Sequence, residues 1–269
     1  MTEPAVTEPI LPRRTRKKIV FLSILILFLL PVAARATFFA FEERPRSFRE
    51  ANWSSTGTLP AATAHPEARV LVMSGRTGGW KGVVAVHSWI VFKPENAQRW
   101  TRYDVVGWGQ PVRLNGWAPD ARWYGVPPSV IADIKGEQAQ ALIPKIEQAV
   151  KEYRYANYGD YRLWPGPNSN SFVAAVLRAI PEIQVTMPPN AIGRDFRAGP
   201  YLGWTDSGTG VEANLYGLLG VKVGWVEGIE MNFLGLVAGV DIRDPAIKLP
   251  SFGRVSLNLW PQNAAALQR

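Results

Sequence analysis

The chain has 269 residues, 47% of them hydrophobic and 11% aromatic, which is enough apolar material for one large or two small packed domains. It contains no cysteine, so disulfides, thiolate metal sites and a thiol nucleophile are excluded, and with His65 and His87 as its only histidines no metal centre and no cofactor is expected. Of the net charge of +8, the tail holding Arg13, Arg14, Arg16, Lys17 and Lys18 against Glu3 and Glu8 takes +3; the rest is spread without a basic, aromatic-laced stripe, and no nucleic-acid partner is expected.

Behind this tail, residues 1–18, the run Ile19 to Ala34 carries no charge, and with Arg35 snorkelling the apolar stretch continues to Phe41. Residues 19–41 thus reach the length of roughly 20 residues that a bilayer requires. The stretch reads as a transmembrane anchor or as a signal peptide, whose cut would follow the A-x-A pattern Ala34-Arg35-Ala36. In both readings the basic cluster stays in the cytoplasm. An inner-membrane, single-pass protein is expected, with residues 19–41 as its membrane contact and its C-terminal part periplasmic or extracellular.

Residues 42–68 hold Pro45, Pro60 and Pro66 without periodicity and read as a linker in which His65 is a solvated loop residue. A domain is expected over 69–200. Arg69 to Met73 is strand-like, Gly75 to Gly79 a turn, and Gly82 to Phe92 a second strand carrying His87. The glycine cluster is not a phosphate loop, since no Gly-Lys-Ser/Thr follows it. A third strand is expected over Trp100 to Trp108, where Arg102, Asp104 and Val106 alternate with Thr101, Tyr103 and Val105. Asp104 there is either an acid that orients His87 or a charge on the exposed face of the sheet. Residues 109–128 read as loops, and Val130 to Ile134 as a short strand.

The spacing of Ala139, Leu142, Ile143, Ile146, Ala149, Val150 and Tyr153 predicts a helix from Glu137 to Tyr153. A tyrosine-rich loop, Tyr153 to Arg162, then leads into Trp164-Pro165-Gly166-Pro167-Asn168-Ser169-Asn170-Ser171-Phe172. Pro-Gly-Pro before Asn and Ser is a helix-start signal, and the period places Ser169 toward the core and Ser171 in line with Ala175 and Arg178. A hydroxyl at the first turn, where the macrodipole favours negative charge, is either a cap or a nucleophile. Beyond Pro188-Pro189, residues 201–269 read as a glycine-rich β extension on the same domain. Strands are expected at 211–216, 221–225, 229–240 and 254–259, apolar enough to be central in a sheet or packed on membrane or partner.

A histidine strand followed about 80 residues later by Asn168-Ser169-x-x-Phe172 at a helix start resembles the order in circularly permuted papain-like proteins, namely the NlpC type, the PPPDE peptidases and the lecithin:retinol acyltransferases. On that resemblance His87 takes the place of the general base and Ser169 that of the nucleophilic cysteine. Over most of residues 45–255 the chain is similar to an uncharacterised, typically membrane-anchored bacterial family, domain of unknown function family 3750, which carries the Pro-Gly-Pro-Asn-Ser-Asn-Ser/Thr-Phe element. The expected fold is therefore α+β, an antiparallel sheet flanked by helices on a permuted papain-like plan. The expected activity is that of a serine–histidine hydrolase or acyl transferase on an envelope amide or ester. Ser169, His87 and Asp104 are the candidate catalytic residues, and Tyr158, Tyr161, Trp164, Asn168 and Asn170 the candidate substrate contacts. The alternatives are an inactive module binding envelope glycan, peptide or lipid, or a structural envelope protein.

Overall fold

The computed structural model describes residues 12–257. The first eleven residues of the basic tail, and the last two residues of the strand expected at 254–259, lie outside the described residues. Helix α1, Arg13–Ala40, runs unbroken through the apolar stretch with a mean hydropathy of 2.5 in its most apolar window. It is long and apolar enough to cross a membrane, and most of its side chains are exposed.

The first sheet has five antiparallel strands in the order β4-β3-β2-β1-β5. These are β1 Arg69–Arg76, β2 Val86–Lys93, β3 Thr101–Val105, β4 Val112–Leu114 and β5 Ser129–Lys135. Val70, Val72, Ile90 and Phe92 on one face meet α2 (Gly136–Lys151) and α3 (Ser169–Ala179) through Leu142, Ile143, Ile146, Phe172, Val173, Val176 and Leu177. Each such side chain, fully buried, stabilises the fold by about 1.5–3 kcal/mol. The opposite face carries Leu71, Met73, Trp89 and Val91. Residues 42–68 pack on this side instead of forming a free linker. Their Ser55 bridges to Ala121, and the Asp120 carboxylate accepts from Ser55 Oγ at 2.6 Å, Thr56 Oγ1 at 3.0 Å and the Leu59 N–H at 3.2 Å.

The second sheet is a seven-stranded antiparallel meander, β6 Pro200–Trp204, β7 Gly210–Leu215, β8 Leu219–Gly224, β9 Gly228–Phe233, β10 Leu236–Asp241, β11 Ala246–Leu249 and β12 Gly253–Ser256. The expected single strand over 229–240 is a hairpin, because Leu234 and Gly235 adopt positive φ (55° and 86°) and reverse the chain in two residues. The expected start of the second strand at Gly82 is likewise corrected. Gly79–Val83 forms a 3-10 turn, where a Cβ on Gly82 would lie 2.4 Å from the Thr77 carbonyl. The α+β class with antiparallel sheets, flanking helices and an apolar N-terminal helix is as expected from sequence.

Candidate active site

The Trp164 to Phe172 element divides its work among its residues. Asn168 is the N-cap of α3, its Oδ1 accepting from the N–H groups of Asn170 (2.9 Å) and Ser171 (3.1 Å). Its amide Nδ2 donates to the carbonyls of Leu163 and Ile192, at 3.0 and 3.1 Å. Gly193, at φ +98°, is needed beside it, since a Cβ there would lie 2.3 Å from that nitrogen. Asn170 Nδ2 donates to the carbonyls of Val86 (2.9 Å) and Ile192 (2.8 Å), tying the helix start to the head of β2. Ser171 is buried in line with Ala175 and Arg178, as the helical period suggests, and its hydroxyl donates to the Gly193 carbonyl at 2.7 Å. Phe172 enters the core.

That leaves Ser169. It is the first residue of α3, so the cap is its neighbour, and its hydroxyl makes no side-chain hydrogen bond among the described residues. The cap also uses two first-turn N–H groups, and among the described residues the Ser169 N–H is the one left free of those that precede the regular helical bonds.

Ser169 borders a cavity of about 230 Å³ whose lining also includes His87, Asn168, Asn170, Tyr161 and Trp164. Trp80, Trp108, Trp123 and Tyr124 add further aromatic rings to a wall completed largely by aliphatic side chains such as Val84, Val106, Leu163 and Ile192. Tyr158, expected among the substrate contacts, is not part of this lining and is 79% exposed. Tyr161 and Trp164 do reach it. Trp164 is fixed from behind, its indole N–H donating to the Leu234 carbonyl at 3.0 Å. The Asn168 and Asn170 amide nitrogens face the fold's own carbonyls.

His87 sits at the head of β2, opposite Gly75 of β1, and alternation puts its ring on the Met73, Trp89 and Val91 face, away from the face that packs on α3. It meets the cavity because it stands at the end of the strand. Its ring stacks on Trp123 with centroids 3.7 Å apart and planes 3° from parallel. Nε2, sealed from solvent, lies 3.6 Å from Asp104 Oδ2, an ion-pair distance beyond hydrogen-bond length. Among the described residues no hydrogen bond joins His87 to Ser169.

Asp104 is fully buried, which overturns the exposed-face reading. Its Oδ2 is held by Arg102 through Nε at 3.1 Å and Nη2 at 2.7 Å. Arg102 is fully buried as well, with its guanidinium 4.2 Å from the Trp89 ring centroid and Nη1 donating to the Ala118 carbonyl at 2.8 Å. Burial pushes the Asp104 carboxyl up, but His87 and the Arg102 charge together outweigh it and hold the group below its ordinary value. For His87 burial is the larger effect and lowers the imidazole, with Asp104 opposing. The His87 imidazole is therefore neutral at neutral pH. Arg102 and Trp123 are the two site residues that sequence reasoning missed. Arg102 had a signal, an opposite charge two residues from Asp104 on one strand face; Trp123 had none, lying in a stretch that reads as loop.

A buried His–Asp–Arg chain and a free serine on one aromatic cavity, in an α+β protein behind an apolar helix, define the class of site. Residues 67–196, which hold the first sheet from β1 onward and both of its helices, match the family described as "Protein of unknown function (DUF3750)". Comparison with curated proteins and with solved structures finds no significant match.

Proposed function

We propose that the cavity is the active site of a membrane-anchored envelope hydrolase or acyl transferase in which Ser169 attacks an ester or amide carbonyl. The observation that carries this reading is the division of labour at the helix start: Asn168, Asn170 and Ser171 are all committed to structural hydrogen bonds, while the Ser169 hydroxyl is spare and borders the cavity that His87 also borders. In this reading His87 takes the Ser169 proton at Nδ1, with Asp104 holding the opposite edge of the ring, and returns it to the leaving alcohol or amine as the acyl-serine forms. Water or an acceptor hydroxyl then releases the acyl group by the same steps in reverse. The free Ser169 N–H and the positive end of α3 favour the oxyanion.

The aromatic walls suit a substrate with an apolar acyl or aromatic portion. The basic residues between Arg13 and Lys18, at the start of α1, favour a cytoplasmic N-terminus, and in this reading the cavity faces the periplasm or the exterior. The order of His87 and then Asn168-Ser169 is similar to that of permuted papain-like enzymes, with a hydroxyl replacing the thiol. A serine-directed fluorophosphonate probe tests the reading. The wild-type protein is expected to label and Ser169→Ala not to; labelling that survives in Ser169→Ala sinks it.

A second reading, a binding module for envelope glycan, peptide or lipid, is favoured by the absent His87–Ser169 hydrogen bond and by Asp104 being held chiefly by Arg102. It expects ligand retention that is equal in wild type and Ser169→Ala, with no turnover in either.

A further inference from the structure

The second sheet is polarised in the direction opposite to that of an ordinary half-buried sheet. Along β7, β8 and β9, the side chains that point toward the body of the protein include Glu212, Lys222 and Glu230, all buried. They belong to an ionic network: Lys222 Nζ lies 2.7 Å from Asp195 Oδ1, Lys248 Nζ lies 2.6 Å from Glu230 Oε1, and Arg194 pairs with Glu230. The alternate positions point outward, and there Val211, Val221, Val223, Ile229, Met231 and Phe233 are 39–56% exposed. An apolar face of this extent, spread over neighbouring strands, needs an occupant.

The structure indicates which occupant. Phe28, in the apolar middle of α1, is buried at 2% exposure and packs on Phe233 with ring centroids 5.8 Å apart. Phe28 is seven residues before Arg35, whose Nη1 pairs with Glu42 Oε1 at 2.7 Å and marks the polar end of the helix. At 1.5 Å per residue, Phe233 lies roughly 10 Å along the helix from that polar end, at hydrocarbon depth if α1 spans a bilayer. The outward face of the sheet is thus continuous with the lipid-compatible surface of the helix. At the strand ends remote from Phe233 stand Trp204 and Trp225, 68% and 59% exposed, and tryptophan concentrates where hydrocarbon meets headgroups. Strands of four to six residues are too short to cross a bilayer, for which about 9–11 are needed, so the sheet lies within one leaflet. Its internal ladders satisfy the backbone there.

We infer that the outer face of the β6–β12 sheet is a bilayer-docking surface, immersed in the leaflet from which the C-terminal end of α1 emerges. This does not depend on Ser169 being catalytic. Because the chain has no cysteine, single reporters are available in the full-length protein. Val211→Cys, Val223→Cys and Met231→Cys, at exposed positions, and Gln138→Cys, exposed on α2 as a control, are labelled with nitrobenzoxadiazole and reconstituted into phosphatidylethanolamine–phosphatidylglycerol vesicles. The three sheet labels are expected to be quenched at least twofold by doxyl-lipids and protected from aqueous iodide, with Gln138 showing the reverse. Iodide quenching of the sheet labels equal to that at Gln138 overturns the inference. So does shielding from both quenchers with disulfide dimers forming at the same cysteines, which assigns the face to a second copy.

Discussion

Ser169 and Ser171 stand two residues apart at the same helix start, are both buried to about 5% exposure, and should respond to alanine in opposite ways. Ser171→Ala removes the 2.7 Å bond to the Gly193 carbonyl and leaves that acceptor in a site closed by Gly166, where a Cβ would approach Ser171 Oγ to 2.5 Å. The loss of a buried hydrogen bond together with an orphaned acceptor amounts to about 1–3 kcal/mol. For a chain of this size that lowers Tm by roughly 3–10 °C. Ser169→Ala breaks no side-chain hydrogen bond and gains slightly in helix propensity, so its stability should stay within about 0.5 kcal/mol of wild type. Thermal unfolding in detergent micelles, read by circular dichroism alongside probe labelling, separates the two. Stability lost in Ser171→Ala with labelling retained, and labelling lost in Ser169→Ala with stability retained, is the expected pattern. A Ser169→Ala variant as destabilised as Ser171→Ala would refute the argument that Ser169 is spare.

Gly193→Ala should be as damaging as any change at the motif, because the new Cβ meets the Asn168 amide at 2.3 Å with the backbone at φ +98°; a Tm within 2 °C of wild type would contradict this. Asp104→Asn leaves the buried Arg102 guanidinium without its charge and should cost about 3–5 kcal/mol, whereas a double Arg102→Met, Asp104→Leu variant should recover most of that; equal losses in chemical unfolding would show that the pair is not a closed ionic unit. His87, lowered by burial, remains neutral in the folded state where the unfolded chain takes up a proton near pH 6.5. Its contribution to stability is therefore complete above about pH 6.5 and declines as pH falls toward the folded pKa. Probe labelling that depends on it should keep its acid inflection below about 6.5, and an inflection at or above that value would contradict the burial argument.

Elements whose pattern comes from burial of apolar side chains were legible in the sequence. The stripe from Ala139 to Ile146 gave α2, and the β-branched runs gave the cores of β1, β2 and β5. What escaped was geometry with no compositional mark. Leu234 occupies a left-handed turn position usually held by Asn, Asp or Gly, so the β9–β10 reversal hides in an apolar run. Residues 42–68 look like a linker because they are held by side chain to backbone bonds, such as those on Asp120, and not by a periodic apolar face. At the site, the sequence order paired His87 with the helix start, and one cavity does border both. It could not show that Arg102 competes with His87 for Asp104, since that depends on three side chains converging from two strands.

The second sheet exposes the ambiguity of alternation most fully. A pattern such as Val211-Glu212-Ala213-Asn214-Leu215 has period two whichever face is buried, and the default places the apolar set inward. Here the polar set is inward, because Arg194, Asp195 and Arg197 supply charges beneath the sheet that Glu212, Lys222 and Glu230 neutralise, with the Asn232 amide donating to Asp195. The cavity wall is tied both to this sheet and to α1. Trp164 on its wall is bonded to the β9–β10 turn, whose Phe233 meets Phe28, and the 3-10 turn that contributes Trp80 and Lys81 packs its Gly82 against Phe39 near the other end of the helix. If the outer face of the sheet lies in the leaflet, both cavity walls are attached to the anchor at two depths.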